Sequence, residues 1–437
     1  MKNVNFIIAL TAFILTAFPA VQEIQAQTRP QDFRGGLSVF SFTDEIDKII
    51  NNYFKRAYRN VSISSSHSAF SDSGDRIREL QGFFTSRQVP DIIALEAGYV
   101  RTFVESGNLL DLTDIYEANR NKILPYTAEV GTYNGRVYAL SWQACPGAFF
   151  YRRSLAKKYL GTDDPAIVQT YFTNVNRLAE TARLLKEKSN GACHVTLGPN
   201  DLLRPFLSMR ANPWIVNGQF TIDPAIEQYL DTIKTFADNG WITGCGQWSA
   251  EWFAGMKGEL KQHDGTSHLG RGAAIEVFGY FLPSWGLHYV LKTNAPATSG
   301  DWAMIQGPIP YQWGGTWLAA SSKTQNPQLA KEFIRYVTTD DSFLEKYARD
   351  TGDIVSNIIA QERVRGNFRE RFLGNQNHYL LLSEISRNIN GSLIQAHDET
   401  IQLILSDMIG QFVWEGKTKA QFLADFRAKV NAELRLR

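Results

Sequence analysis

The chain has 437 residues, and its 45 Lys and Arg residues nearly balance its 44 Asp and Glu residues, for a formal net charge of +1. This balance excludes the strong positive charge that marks proteins binding nucleic acid or anionic membranes. Hydrophobic residues make up 44% of the chain, and its length is sufficient for two or three globular domains. Aromatic residues make up 12%, and they suit both cores and sugar-stacking surfaces.

The N-terminus has the layout of a secretory signal peptide. Lys2 precedes an apolar run from Phe6 to Phe18, and the small residue Ala26 provides a cleavage point. The run is too short to span a membrane, which takes roughly 20 residues. No cysteine lies near the cleavage point, so a lipid anchor is not expected. We predict that residues 1–26 are a cleaved signal peptide and that the mature chain is periplasmic.

The first third of the chain alternates short β-prone runs with amphipathic segments. Strands are predicted at 37–42, 61–64 and 91–95, and helices are predicted after the N-cap Thr43, over 75–86 and over 100–110. The last of the three strands is apolar enough to be buried on both faces. This β-α-β-α-β order predicts a parallel sheet with right-handed crossovers.

The remainder of the chain is richer in helix. Helices are predicted over 165–188, from Pro224 to about Asn239, from Pro327, over 393–412 and over 419–434, and a buried strand is predicted over 273–278. We find no repeat and no linker rich in proline or serine. Two lobes joined by several chain crossings would account for the length without a linker.

Three cysteines, Cys145, Cys193 and Cys245, form an odd set for an oxidising compartment. A disulfide between Cys193 and Cys245 is one interpretation, and three buried thiols are the other. No Cys-x-x-Cys spacing exists that would indicate a redox or zinc motif.

Several segments, taken in order, resemble the family 1 extracellular solute-binding proteins, which include the maltose-binding-protein-like sugar-binding proteins of ABC transporters. The resemblance runs through most of the mature chain, and the segments that carry it read LSVFSFTDEIDKIINNYF, PDIIALEAGYVRTFVESGNLLDLTD, YNGRVYALSWQACPGAFFYRRSL, GRGAAIEVFGYF and GDWAMIQGPIPYQWGGTWLAASSKTQNPQLAKEFIRYV. Three positions depart from the family pattern. Ser141 replaces a proline, Ile275 a methionine and Phe281 a tryptophan.

The resemblance implies an α/β periplasmic-binding-protein-like fold, with two α/β lobes, a hinge and an interlobe ligand cleft. The N-terminal lobe would comprise residues 27–140 plus about 300–350, and the C-terminal lobe residues 141–299 plus about 351–437. The implied function is to capture a sugar or oligosaccharide and deliver it to the transmembrane subunits of an ABC importer. A monomer without cofactor, metal or nucleic-acid partner is expected.

A sugar site needs carboxylates and amides for the hydroxyls and flat aromatic rings for the C–H faces. In open α/β sheets, ligands bind outside the carboxyl ends of the strands, so the candidates are residues at predicted strand tips. Trp252 is added because its region, which also holds Trp248 and Phe253, lines the second lobe in the family. The alternatives are helix N-terminal stabilisation for the acids and core packing for the rings. The candidate ligand-binding residues are Thr43, Asp44, Glu45, Glu96, Trp142, Trp252, Tyr280, Phe281, Gly315 and Trp317.

Two rival functions remain open at this stage. A secreted glycoside hydrolase or lyase would need a carboxylate pair, which Asp44, Glu45, Glu96 and Glu276 could supply. A protein of the same fold could instead bind a non-sugar solute, such as a polyamine, an iron complex or glycerol phosphate. No catalytic residue is assigned.

Overall fold

The computed structural model describes residues 29–70, 73–86, 88–262 and 269–436. The predicted signal peptide lies outside these residues. Among the described helices, none combines the length and the apolar character that crossing a membrane requires.

The strands form two main sheets and several short two-stranded pairs. The strands are β1 Gly35–Ser41, β2 Val61–His67, β3 Ile92–Glu96, β4 Thr132–Tyr133, β5 Arg136–Val137, β6 Leu140–Ser141, β7 Pro146–Arg152, β8 Cys193–His194, β9 Ile215–Val216, β10 Gln219–Phe220, β11 Glu276–Val277, β12 Gly279–Pro283, β13 Trp302–Ile305, β14 Tyr311–Gln312 and β15 Thr316–Ala320.

The first sheet has the order β2-β1-β3-β15-β6. Strand β1 runs parallel to both β2 and β3, with Leu37 opposite Ile63 and Val39 opposite Ile92. Strand β15 returns antiparallel to β3 and pairs with β6 on its other edge. The predicted parallel β-α-β-α-β opening is therefore confirmed.

The second sheet has β7 at its centre, flanked by β12 and β13, and β14 also pairs with β7. All three pairings are antiparallel, for example Phe281 with Phe149 and Met304 with Phe150. The carboxyl ends of its strands therefore do not all lie at one edge, unlike those of β1, β2 and β3.

The helices cover both sheets and make up most of the second lobe, which is the part of the chain built around the second sheet. They are α1 Glu45–Ile49, α2 Lys55–Ala57, α3 Ser73–Thr85, α4 Val100–Val104, α5 Thr113–Asn119, α6 Pro125–Val130, α7 Arg153–Leu160, α8 Pro165–Gln169, α9 Val175–Lys188, α10 Leu203–Ser208, α11 Pro224–Asp238, α12 Ala250–Lys257, α13 Ser284–Gly286, α14 Lys292–Asn294, α15 Pro327–Thr339, α16 Asp341–Thr351, α17 Ile358–Arg365, α18 His378–Ser386, α19 Asp398–Trp414 and α20 Lys419–Leu434. Two π-helical turns, Ile50–Phe54 and Leu287–Leu291, continue α1 and α13.

Two predicted helices are wrong in extent. The helix predicted over 100–110 ends at Val104, and Gly107 follows with a φ of 74°, a backbone conformation that favours glycine. The helix predicted over 165–188 is two helices, because the Asn174 side chain accepts a hydrogen bond from the backbone N–H of Arg177 and starts α9 anew. The predicted start at Pro224 and the predicted bounds of α20 are confirmed.

Successive strand residues alternate between separate hydrophobic cores, as the two-residue period of a strand requires. On β1, Val39 belongs to a large central core, and Phe40 belongs to a smaller core on the outer face of the first sheet. On β7, Phe150 joins the same central core, and Phe149 joins the core of the second lobe. The central core is therefore shared by both sheets and holds them together.

Three chain segments cross between the sheets. The first follows β6 and leads into β7, and the second, residues 313–315, leads from β14 into β15. The third, residues 353–356, pairs with the first, since Ala144 donates to the carbonyl of Ile354 (2.7 Å) and Ser356 donates to that of Trp142 (2.8 Å). Strands β13 and β14, which precede the second crossing, pair with β7 in the second sheet. The predicted division into lobes, which assigns residues from about 300 to the N-terminal lobe, stays a prediction.

The predicted disulfide between Cys193 and Cys245 is wrong, because all three cysteines are free thiols. Cys193 lies on β8 inside the core of the second lobe, and Cys245 packs against the central core. The two side chains therefore belong to different hydrophobic clusters.

Candidate ligand-binding cleft

A cavity of about 800 Å³ lies between the two sheets, within the range of about 300–1,000 Å³ usual for small-molecule sites. Its walls come from the first sheet, from the second lobe and from the crossings, so a bound molecule would touch both lobes. The principal polar and aromatic residues of its lining are Thr43, Glu45, Arg76, Glu96, Gln143, Arg204, Arg210, Trp248, Trp285, Tyr289, Gln312, Trp313, Asn388, Asn390, Asp398, Glu399 and Gln402.

Three tryptophans form an aromatic cluster in the cavity wall. The rings of Trp248 and Trp285 are nearly parallel, with centroids 6.4 Å apart and an interplanar angle of 7°. Trp313 meets both rings edge-on, at 5.9 Å from Trp248 and 5.6 Å from Trp285. Trp248 is 47% exposed although it is large and apolar. This cluster offers the flat apolar surface that a sugar ring or another flat group can cover.

The position of Trp285 is fixed by the second crossing. Its indole N–H donates to the carbonyl of Trp313 over 2.9 Å. Gly314 has a φ of 78°, and a Cβ atom there would lie 2.7 Å from the indole nitrogen of Trp285. A glycine is therefore required for Trp285 to approach the crossing so closely.

A buried acidic group lies where α1 meets the crossings. The amide nitrogen of Gln143 donates to both carboxylate oxygens of Glu45 (3.0 and 2.9 Å) and to Asp353 (3.0 Å). The Tyr347 hydroxyl donates to Glu45 as well. Burial raises the pKa of Glu45, against the lowering effect of these hydrogen bonds, and burial together with the charge of Glu45 raises the pKa of Asp353. Glu45 and Gln143 both line the cavity.

A second acidic pair spans the cleft. Glu96 at the tip of β3 and Glu399 on α19 both extend over Gly98, where a Cβ atom would clash with both carboxylates. The backbone N–H of Gly98 donates to Glu96 over 2.8 Å. Burial, reinforced by the charge of Glu399, raises the pKa of Glu96 to about 7. The two lobes thus present a pair of carboxyl groups that share a small space.

Arginines balance part of this negative charge. Arg210 and Asp398 form a buried ion pair at 3.3 Å, and the Arg210 guanidinium lies 4.5 Å from the ring centre of Trp214. Burial raises the pKa of Asp398 to about 6 although Arg210 opposes this rise. Arg204 lies 5.3 Å from the ring centre of Trp313, which joins the charged and the aromatic parts of the lining.

Four of the residues predicted from the sequence line the cavity together: Thr43, Glu45, Glu96 and Gly315. Asp44 does not. It directly precedes α1, and its exposed side chain forms an ion pair with Lys48 at 3.1 Å.

The five predicted aromatic residues lie in the hydrophobic cores and do not line the cavity. The Trp317 indole donates to the carbonyl of Thr127 (2.7 Å), and the Trp252 indole donates to Asp201 (2.9 Å). Each of the five is at most 1% exposed: Trp142, Trp252, Tyr280, Phe281 and Trp317.

The aromatic residues that line the cavity are Phe42, Trp248, Trp285, Tyr289, Tyr311 and Trp313. Trp248 stands in the same aromatic-rich segment as Trp252, and Gln143 follows Trp142 directly, so the sequence indicated the right neighbourhoods. Phe42 ends the first predicted strand but is not among the candidate residues, and no sequence signal pointed to the remaining aromatic residues.

Among the described residues, no group of three or more His, Cys, Asp or Glu side chains is placed to hold a metal ion. The polar groups in the cavity are carboxylates, which accept hydrogen bonds, and amide and guanidinium groups, which donate them, and together they suit a polar organic solute.

Three solved binding proteins have the same fold as this chain. A family 1 extracellular solute-binding protein superimposes with a TM-score of 0.73 at 18% identity, covering 90% of this chain and 98% of the other. The sugar-binding protein MalE from the phytopathogen Xanthomonas citri gives a TM-score of 0.72 at 13% identity, covering 92% and 98%. An ABC-transporter-associated binding protein from B. animalis subsp. lactis Bl-04, in complex with β-1,6-galactobiose, gives 0.69 at 17% identity, covering 92% and 98%.

These likenesses confirm the predicted periplasmic-binding-protein-like fold. No curated protein sequence matches the chain. A family model described as bacterial extracellular solute-binding protein matches residues 52–361, which is most of the sequence. The chain therefore belongs to the family of bacterial extracellular solute-binding proteins.

Proposed function

We propose that this protein is the solute-binding component of a bacterial ABC importer, and that it binds a sugar or oligosaccharide in the interlobe cleft and delivers it to the membrane permease. The observation that carries this proposal is the cavity between the two sheets, which combines three tryptophans with carboxylate, amide and guanidinium side chains.

The chemistry of the lining suits a carbohydrate. The C–H face of a pyranose ring packs against an indole, and the rings of Trp248, Trp285 and Trp313 provide such faces. Vicinal hydroxyls donate to carboxylates and accept from amide or guanidinium N–H groups, which Glu96, Gln143 and others supply. The binding proteins of known structure agree, since one is named for sugar binding and another holds β-1,6-galactobiose.

The mechanism we propose is closure of the two lobes around the solute. A ligand touching both lobes favours the closed state because it gains contacts that the open state lacks. The three crossings would act as the hinge, since a few residues between rigid lobes can absorb the rotation. The closed shape would then be recognised by the transmembrane subunits. Export through the predicted signal peptide and a monomeric state complete the proposal.

The test is a thermal-shift screen of the chain lacking residues 1–26 against mono- and oligosaccharides, with polyamines and phosphorylated solutes as comparison compounds. A ligand present at 100 times its Kd stabilises the folded state by about 2.7 kcal/mol, which gives a clear shift. We expect at least one saccharide to give this shift. A shift with a polyamine or phosphorylated compound and none with any saccharide would overturn the sugar assignment.

Two variants show whether the ligand lies in the cleft. Trp248→Ala removes a ring from the cavity wall and should weaken binding by about 1–3 kcal/mol, close to the cost of losing a stacked aromatic contact. Trp414→Ala is the matched control, because Trp414 at the end of α19 is 46% exposed against 47% for Trp248 and does not line the cavity. Equal losses in both variants would contradict the proposed site.

A further inference from the structure

Trp248 has an unusual backbone conformation. Its φ is 68°, in the left-handed region. The other described non-glycine residues with a positive φ are four asparagines, a type that tolerates this region, and Arg435 at the end of α20. For other L-residues the left-handed conformation costs roughly 1–2 kcal/mol, so the surrounding structure must hold Trp248 in place.

The holding contacts converge on one buried carboxylate. Asp201 is only 2% exposed and does not line the cavity. Its Oδ1 accepts hydrogen bonds from the Gln247 amide (3.0 Å) and the Trp252 indole (2.9 Å). Gln247 is the residue directly before Trp248. The ring of Trp252 lies against that of Trp248, with centroids 4.9 Å apart. One carboxylate oxygen of Asp201 therefore fixes both the residue before Trp248 and the Trp252 ring that packs against Trp248.

The second oxygen ties this group to the rest of the lobe. Oδ2 of Asp201 accepts from the hydroxyl of Thr196 (3.0 Å) and from the backbone N–H groups of Leu197 and Gly198 (3.2 Å each). The carbonyl of Leu197 in turn accepts from the backbone N–H (2.6 Å) and the hydroxyl (2.7 Å) of Thr243. The segment that follows β8 is thus joined at both ends to residues 243–252, which carry Trp248.

We propose that Asp201 is a positioning residue, which orients Trp248 for the ligand through its hydrogen bonds to Gln247 and Trp252. The role in binding rests on the proposed function, whereas the positioning of Trp248 does not depend on a ligand. Five donors satisfy this carboxylate, and among the described residues it has no ion pair. An acceptor with two oxygens is needed, because one oxygen serves the Trp248 segment and the other serves the segment after β8.

Asp201→Asn tests this arrangement with little change in shape. An asparagine offers one acceptor oxygen and one NH₂ group, so on one side of residue 201 the new NH₂ group would face the N–H or O–H donors that the carboxylate oxygen accepted from. The matched control is Asp223→Asn. Asp223 is 4% exposed, caps α11 in the same lobe and accepts four hydrogen bonds, from Ala211, Asn212 (backbone and side chain) and Ala225. Within the part of the chain that the structure describes, it forms no hydrogen bond or ion pair with residues 243–252, so its replacement should affect stability alone.

The readout is the quenching of Trp248 fluorescence by acrylamide. For each variant, the Trp248 signal is the difference between the variant and the same variant that also carries Trp248→Phe. Trp248 is 47% exposed in the folded protein, so release to full exposure would raise its quenching about twofold. We expect that rise in Asp201→Asn and no change in Asp223→Asn. The far-UV circular dichroism spectra of the variants should match that of the natural sequence, which shows that they are folded. Gln247→Ala removes one of the two links and gives a milder variant should Asp201→Asn not fold.

The outcomes separate the two proposals. If Asp201→Asn and Gln247→Ala lower the melting temperature but leave Trp248 quenching as it is in Asp223→Asn, Asp201 is structural only and the inference is overturned. Because quenching needs no ligand, a failed saccharide screen would leave this result intact. A β-1,6-galactobiose titration then adds the binding arm: if that disaccharide binds, Asp201→Asn should weaken it by the same factor as Trp248→Ala.

Discussion

The carboxyl pair that spans the cleft makes stability depend on pH, and Glu399→Gln tests this directly. The pKa of Glu96 rises from 4.5 to about 7, with burial as the main cause and Glu399 as the next, while Arg204 and Arg76 act in the opposite direction. The backbone N–H of Gly98 also favours the charged form. The unfolded chain loses the Glu96 proton near pH 4.5, and the folded chain keeps it until about pH 7. Stability therefore falls as the pH rises through this window, and the loss is complete above pH 7.

The size of the Glu96 pKa shift sets the expected change in the free energy of unfolding. At about 1.36 kcal/mol per unit, the full rise of the Glu96 pKa would cost about 3 kcal/mol above pH 7. Glu96 is partly exposed, and Glu399 is a smaller cause than burial, so removing its charge should restore about 1 kcal/mol. We expect Glu399→Gln to be more stable than the natural sequence at pH 8 and to match it at pH 4.5, where Glu96 is protonated in the folded chain and carries no charge to be repelled.

The assay is urea unfolding at pH 4.5 and pH 8, followed by far-UV circular dichroism. Glu433→Gln, at an exposed position of α20, is the control for the loss of one negative charge. A gain in the midpoint at pH 8 that is specific to Glu399→Gln would support the coupling. A gain equal to that of Glu433→Gln, or a loss at pH 8, would refute the reasoning that the two carboxylates repel each other across the cleft.

Two further substitutions test the walls of the cavity. Gly314→Ala places a Cβ atom 2.7 Å from the Trp285 indole at a φ of 78°, so urea unfolding should show a loss of about 1–3 kcal/mol in the free energy of unfolding. The control is Gly218→Ala at the surface, where the φ is also positive but nothing lies within 4 Å, so its loss measures the backbone strain alone. Equal losses at both positions would contradict a steric role for Gly314. Arg210→Ala leaves Asp398 buried without its ion-pair partner, so the free energy of unfolding should fall by about 3–5 kcal/mol at pH 8. The loss should be smaller at pH 5, where Asp398 can take up a proton. A loss that is the same at both pH values would count against the ion pair.

The acidic part of the site was predictable from the sequence because it follows a rule of parallel sheets. Strands β1 and β3 are parallel, so their carboxyl ends meet at one edge, and the residues that follow them converge there. Glu45 and Glu96 are such residues, and both line the cavity.

The aromatic part was not predictable for two physical reasons. The second sheet is antiparallel, so the strand-tip rule gives no common edge there, and Tyr280 and Phe281 fall inside β12. In the crossings, a shift of one or two residues decides which side chain faces the cavity. Gln143 and Gly315 line it, whereas their near neighbours Trp142 and Trp317 pack into the cores. That choice depends on contacts between distant segments, which local sequence patterns do not contain.

The central claim is that a carbohydrate is held between the lobes at the tryptophan cluster. The most direct measurement is a crystal structure of the mature chain with the saccharide that the thermal-shift screen identifies. We expect a pyranose ring packed against at least one of Trp248, Trp285 and Trp313, with hydroxyls hydrogen-bonded to Glu45, Glu96 or Gln143. A saccharide bound outside the cleft, or inside it without touching any of the three indoles, would contradict the claim.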